Sequence, residues 1–216
     1  MEIVSWLFDV FLHLDRHLGE VIAQYGTWTY LLLFVIVFCE TGLVATPFLP
    51  GDSLLFAAGT FAAIGALDVA WLWILLVTAA VVGDTANYWI GAYIGPRAFT
   101  GRYRFLKKEY LERTHRFYEK QGGKTIILAR FIPIIRTFAP FVAGIGAMNY
   151  SRFILFNITG GIAWVTLFVL CGYFFASLPV VKDHFSLVVA AIIVISVLPL
   201  AYEVFQARRE AARQQP

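Results

Sequence analysis

Charge is scarce in this chain. Asp, Glu, Lys and Arg make up 14% of its 216 residues, where a soluble domain carries about 25%. With 60% hydrophobic residues, the shortfall excludes an ordinary water-facing surface and points to lipid. Cysteine is rare too. Cys39 and Cys171 both lie in apolar runs, so they read as packing residues and a disulfide is not expected. A secretory leader is not expected, because Glu2 and Asp9 stand where a basic n-region would be and no small-residue cleavage site follows. There is no phosphate-binding glycine loop, nucleotide fingerprint, nucleophile elbow or metal-binding acidic cluster. An enzyme, a cofactor, a metal and a nucleic-acid partner are therefore not expected.

What is present is a series of apolar segments with polar interruptions. Residues 3–24 alternate at helical spacing: Glu2, Ser5, Asp9, His13, Arg16, Glu20 and Gln24 on one face, Ile3, Leu7, Val10, Leu14, Leu18 and Val21 on the other. That predicts an amphipathic helix lying in an interface. Residues 27–66 are apolar but interrupted by Glu40, Pro47, Pro50, Gly51 and Asp52. The spacing predicts a re-entrant hairpin of two short helices. A single span followed by an external loop is the alternative. Residues 69–95 can span the membrane despite Asp84 and Asn87. Residues 97–124 hold nine Lys/Arg against three Glu and form a second amphipathic segment. Residues 125–148 are again apolar and broken, at Arg130, Pro133, Arg136, Pro140, Gly144 and Gly146. Spans are expected at 153–176 and 185–206, followed by a basic tail with Arg208, Arg209 and Arg213.

The expected fold class is an all-α membrane protein, with an inverted repeat of amphipathic helix, re-entrant hairpin and transmembrane helix, plus a C-terminal transmembrane helix. Residues 1–216 make one integral-membrane domain: a first repeat at about 1–96, a second at about 105–177, and the last span with its tail at 183–216. The basic 97–124 segment and the tail are expected in the cytoplasm. Inverted repeats whose broken helices meet near the midplane are a transporter arrangement.

Four ionisable residues lie at the broken centres: Glu40 and Asp52 in the first, Arg130 and Arg136 in the second. Each costs about 2.5–3.5 kcal/mol in hydrocarbon unless paired, so they are expected to face each other, a substrate or water in a shared polar pocket. As ion pairs they could simply hold the hairpins together. As a site, Arg130 and Arg136 have the chemistry for a phosphate, through bidentate bonds that persist at any pH. Glu40 and Asp52 have the chemistry for proton coupling, since burial favours the neutral form of a carboxyl. Asp84, Asn87 and Tyr88 form a polar cluster suited equally to helix packing or to substrate contact. Asn157 is a further candidate, although it and Trp164 fit packing roles, and Gly91 and Gly95 allow close helix contact.

The motifs Phe38-Cys39-Glu40-Thr41-Gly42, Pro47-Phe48-Leu49-Pro50-Gly51-Asp52, Gly83-Asp84 with Tyr88 and Gly91, Ala129-Arg130-Phe131-Ile132-Pro133 with Arg136, and Ala143-Gly144 with Met148 resemble the DedA family of bacterial inner-membrane proteins. The likeness runs over nearly the whole chain. It implies a VTT domain, a fold shared with lipid scramblases, and a flippase that returns undecaprenyl phosphate across the inner membrane using the proton motive force. It also implies that Glu40, Asp52, Arg130 and Arg136 are the functional residues. The expected partners are the lipid phosphate, protons and membrane lipids, and a homo-oligomer is left open. A general phospholipid scramblase, a proton-dependent ion or drug antiporter, and a non-transporting envelope-stress scaffold are the alternatives.

Overall fold

A computed structural model describes residues 14–43, 51–98 and 124–179, together with 185, 187–188 and 190–192. The N-terminal half of the first amphipathic segment, the Pro47–Pro50 link, almost all of the basic 97–124 segment, most of the last expected span and the tail lie outside the described residues.

Seven helices follow in order, with no strand among the described residues: α1 Leu14–Tyr25, α2 Trp28–Gly42, α3 Gly51–Ala63, α4 Val69–Ala98, α5 Lys124–Ala129, α6 Pro133–Ile145 and α7 Tyr150–Phe175. Local chemistry sets their ends. Gly26 closes α1 in a left-handed conformation (φ +53°), with its N–H bonded to Ile22 O, a position that costs glycine nothing. Asp68 caps α4 by accepting from Trp71 N–H at 2.9 Å, and the Tyr30 hydroxyl accepts from Asp68 N–H at 2.7 Å. Asn149 caps α7, its side-chain oxygen accepting from Ser151 and Arg152 N–H. Pro133 separates α5 from α6. It forces Ile132 into extended backbone (φ −117°, ψ 107°), and the three residues before it close on i−3 carbonyls.

Two helices are long and apolar enough to cross a membrane, Val69–Gly95 and Tyr150–Phe175. Only 33% and 39% of their most apolar windows are buried. Most of their surface, including Trp71, Ile74, Trp89, Ile94, Leu155, Ile162 and Phe174, faces outward. A core helix of a soluble protein hides such a surface. One that faces lipid does not need to.

The interior holds two apolar clusters. One gathers Leu33, Val37, Leu55, Leu72, Leu76, Trp164, Val165 and Val169 from α2, α3, α4 and α7. The other gathers Tyr88, Ile126, Ala139, Ala143, Met148 and Phe153 from α4 to α7. Glycines let the backbones touch. On α3 and α7, a Cβ at Gly59 would meet Val169 O, and one at Gly172 would meet Phe56 O. On α6 and α4, a Cβ at Gly144 would meet Tyr88 O, and one at Gly91 would meet Phe141 O. Dispersion at such close crossings is what holds helices together where lipid removes the hydrophobic drive.

Candidate functional site

The two broken regions converge between α4 and α7. Glu40 sits near the C-terminal end of α2 and Asp52 in the first turn of α3. The Glu40 carboxylate accepts the N–H of Gly51 at 3.1 Å. It thereby serves one of the orphan donors at the start of α3, where the helix dipole also favours negative charge. Gly51 has to be glycine for this, because a Cβ there would occupy the carboxylate of Glu40.

Arg136, on the first turns of α6, reaches across to both acids. Its Nη2 donates to Glu40 Oε1 at 2.5 Å and its Nη1 to Asp52 Oδ1 at 2.8 Å. Asp52 Oδ1 also accepts from the indole N–H of Trp164 on α7 at 2.8 Å. The Trp164 ring lies under the Arg136 guanidinium, 4.7 Å from its Cζ, within cation–π range.

Arg130, in the turn after α5, takes a different partner from the two carboxylates expected of the first hairpin. Its Nη2 donates to Asp84 on α4 and, at 2.6 Å, to Asn157 Oδ1 on α7. Asn157 in turn donates to Val81 O at 3.0 Å and Thr85 Oγ1 at 3.3 Å. Arg130 Cζ is 6.0 Å from the same Trp164 ring. Gly160 and Gly161 let the guanidinium lie against α7, since a Cβ at 161 would stand 3.0 Å from its Nη1.

Asn87 ties the two broken regions to α4. Its amide donates to Thr41 O at 3.1 Å and Thr137 O at 2.7 Å. Tyr88 belongs elsewhere: its hydroxyl donates to Met148 O and its ring stacks on Phe153 at 4.5 Å. Two contributors were not distinguished by sequence reasoning. Along the chain Trp164 reads as a packing residue, and its position seven residues after Asn157 on one face of α7 is the available signal for more. The Gly51 N–H had no signal at all, because a backbone donor is invisible until the helix end is located.

The cluster is closed. Glu40 is 0% exposed, Asp84 and Arg130 2%, Arg136 3% and Asp52 7%. Among the described residues, three carboxylates share this interior with two guanidiniums. Among the described residues, several polar atoms have no hydrogen-bond partner: Arg130 Nε and Nη1, Arg136 Nε, Glu40 Oε2 and Asp84 Oδ1. Unpartnered donors on buried arginines leave room in the bonding pattern for a further acceptor.

The VTT domain family matches residues 49–174, a stretch that contains every charged residue of the cluster except Glu40. The chain is 51% identical to Protein DedA of Escherichia coli (strain K12) over 99% of each chain. It is 45% identical to an uncharacterised membrane protein of Mycobacterium tuberculosis over 85% of this chain and 83% of the relative. It is 33% identical to the inner membrane protein YqjA of Escherichia coli (strain K12) over 80% of this chain and 79% of the relative. No solved structure matches the chain. A match of this extent, on a chain whose longest helices present apolar faces outward, makes it a membrane protein of the DedA family with a VTT domain.

Proposed function

We propose that this protein is a proton-coupled translocase of a lipid phosphate in the bacterial inner membrane, with undecaprenyl phosphate as the substrate that the family resemblance implies. The observation that carries the reading is the pair of buried arginines with unsatisfied donors, held at the junction of helices too short to cross a bilayer. Guanidinium is the side chain suited to a phosphate, and each arginine is matched to carboxylates that a phosphate can replace. The third carboxylate gives the cluster a place to hold a proton. Only the headgroup needs a polar path, because the lipid tail never leaves the hydrocarbon.

Helix lengths support the hairpin architecture. At 1.5 Å per residue, α2, α3 and α6 extend only about 20–22 Å, short of the roughly 30 Å hydrocarbon core. The glycine crossings support an inverted repeat. Phe56-x-x-Gly59 on α3 meets Val169-x-x-Gly172 on α7, as Phe141-x-x-Gly144 on α6 meets Tyr88-x-x-Gly91 on α4. α3 and α6 thus each pack on the long helix of the opposite half, by the same contact. The whole chain then forms one membrane domain, with its basic segments cytoplasmic.

Reconstitution tests the function. Wild-type protein in proteoliposomes is expected to flip undecaprenyl phosphate at a rate that rises with an imposed proton gradient, and Arg130→Ala or Arg136→Ala to abolish flipping. Alanine variants that flip as fast as wild type sink the assignment. A non-transporting scaffold is the second reading, favoured by the complete burial of the ion pairs. Exchanging charges in Glu40→Arg/Arg136→Glu separates the two. A scaffold regains both fold and function, whereas a phosphate site regains fold alone.

A further inference from the structure

Within the cluster the two arginines have different partners. Arg130 has Asp84 and Asn157 as partners, Arg136 has Glu40 and Asp52, and both guanidiniums approach the indole of Trp164, at 6.0 Å and 4.7 Å. Asn157 and Trp164 are seven residues apart on one face of α7, a separation of about 10 Å along the helix axis. The α7 hydrogen-bond partner of Arg130, Asn157, thus lies two turns before Trp164, the α7 partner of Asp52.

We propose that these are two successive stations for one phosphate group, with Arg130 as the loading station, Asp84 as the internal anion that the phosphate displaces there, and Trp164 as the positioning residue common to both stations. The inference rests on the phosphate reading above and gives it an order. The argument is electrostatic. The Arg130 station pairs one cation with one carboxylate, whereas the Arg136 station pairs one cation with two. A phosphate approaching Arg136 competes with two paired carboxylates, Glu40 on α2 and Asp52 on α3. One approaching Arg130 competes, among the described residues, with one paired carboxylate, Asp84 on α4. Arg130 also keeps two nitrogens, Nε and Nη1, without a partner while 2% exposed. A phosphate that replaces Asp84 keeps the neutral Asn157 oxygen beside it and gains those donors. Passage to Arg136 then requires a proton on Glu40 or Asp52, which places the coupling step at the second station. At that station Trp164 holds Asp52 through its indole N–H.

The test uses the full-length chain in detergent, with decyl phosphate as the binding probe, and the same variants in proteoliposomes for flipping. Lysine substitutions keep each positive charge and remove the guanidinium fork. Arg130→Lys is expected to weaken decyl phosphate binding about tenfold through loss of the guanidinium fork. Arg136→Lys is expected to stay within about threefold in binding yet lose most of its flipping rate. Asp84→Asn, where it elutes as wild type does, is expected to bind about tenfold tighter and flip more slowly, because the competing anion is gone. Trp164→Phe keeps a ring but loses the N–H, and is expected to slow flipping at unchanged affinity. Equal loss of binding in the two lysine variants overturns the two-station order in favour of one shared pocket, while leaving the phosphate reading intact. Weaker binding in a folded Asp84→Asn variant overturns the role of Asp84. A wild-type protein that binds no decyl phosphate overturns both the order and the function beneath it.

Discussion

Arg136 is the side chain on which most of the buried charge depends. It pairs with both Glu40 and Asp52, and removing one partner of a buried ion group leaves charge poorly compensated and away from water. Arg136→Ala is expected to lower stability by about 3–5 kcal/mol, read as a fall in Tm in detergent. Adding Glu40→Gln and Asp52→Asn to it should recover part of the loss, because the stranded charges go with the arginine. Gly51 acts at the same scale through space. The Cβ of Gly51→Ala would stand where the Glu40 carboxylate lies, so Glu40 must leave Arg136 or α3 must shift. Misplacement of a functional group by about 1 Å can cost on the order of a hundredfold in rate. We therefore expect a severe loss of flipping by Gly51→Ala, with the protein still inserted and helical by circular dichroism.

Among the elements, α4 and α7 are the scaffold against which the short helices set their charged side chains. α4 supplies Asp84 and Asn87, and α7 supplies Asn157 and Trp164, so each arginine is held against a continuous helix. α6 carries Pro140 in its interior, which removes an N–H and leaves the Arg136 carbonyl without its helical donor. The Asn87 amide serves the adjacent Thr137 carbonyl. The backbone crossings set how closely these elements approach. Gly91→Leu or Gly144→Leu drives a side chain into the facing backbone of α6 or α4, and overpacking of this kind costs about 1–3 kcal/mol. Both variants are expected to melt earlier than wild type. A matched pair, Gly59→Leu and Gly172→Leu at the α3–α7 crossing, should show losses of the same order if the two halves are repeats.

For the whole molecule, the arrangement predicts a topology. If residues 124–149 enter and leave on one side, Lys124→Cys and Asn149→Cys both react with an impermeant maleimide from the cytoplasmic face of the membrane. A pair that labels from opposite sides shows a full crossing and removes the second hairpin.

Much of this architecture was readable along the chain. Pro133 and the Pro50-Gly51 step mark helix breaks wherever they occur, Asn149 caps a helix by its side chain, and runs such as 69–95 declare their length and polarity. These are local properties, fixed by sterics and by neighbours a few residues away. The convergence of Glu40, Asp52 and Arg136 was also anticipated, because hydrocarbon tolerates no stray charge. Which acid serves which arginine was not readable. Arg130 and Asp84 are 46 residues apart, Arg136 and Glu40 96, and Trp164 and Asp52 112. Every carboxylate attracts every guanidinium in the same way, so the chain alone offers no ground for choosing among them. The packing of α3 on α7 and of α6 on α4 makes the choice, by setting Arg130 beside Asp84 and leaving Glu40 and Asp52 to Arg136.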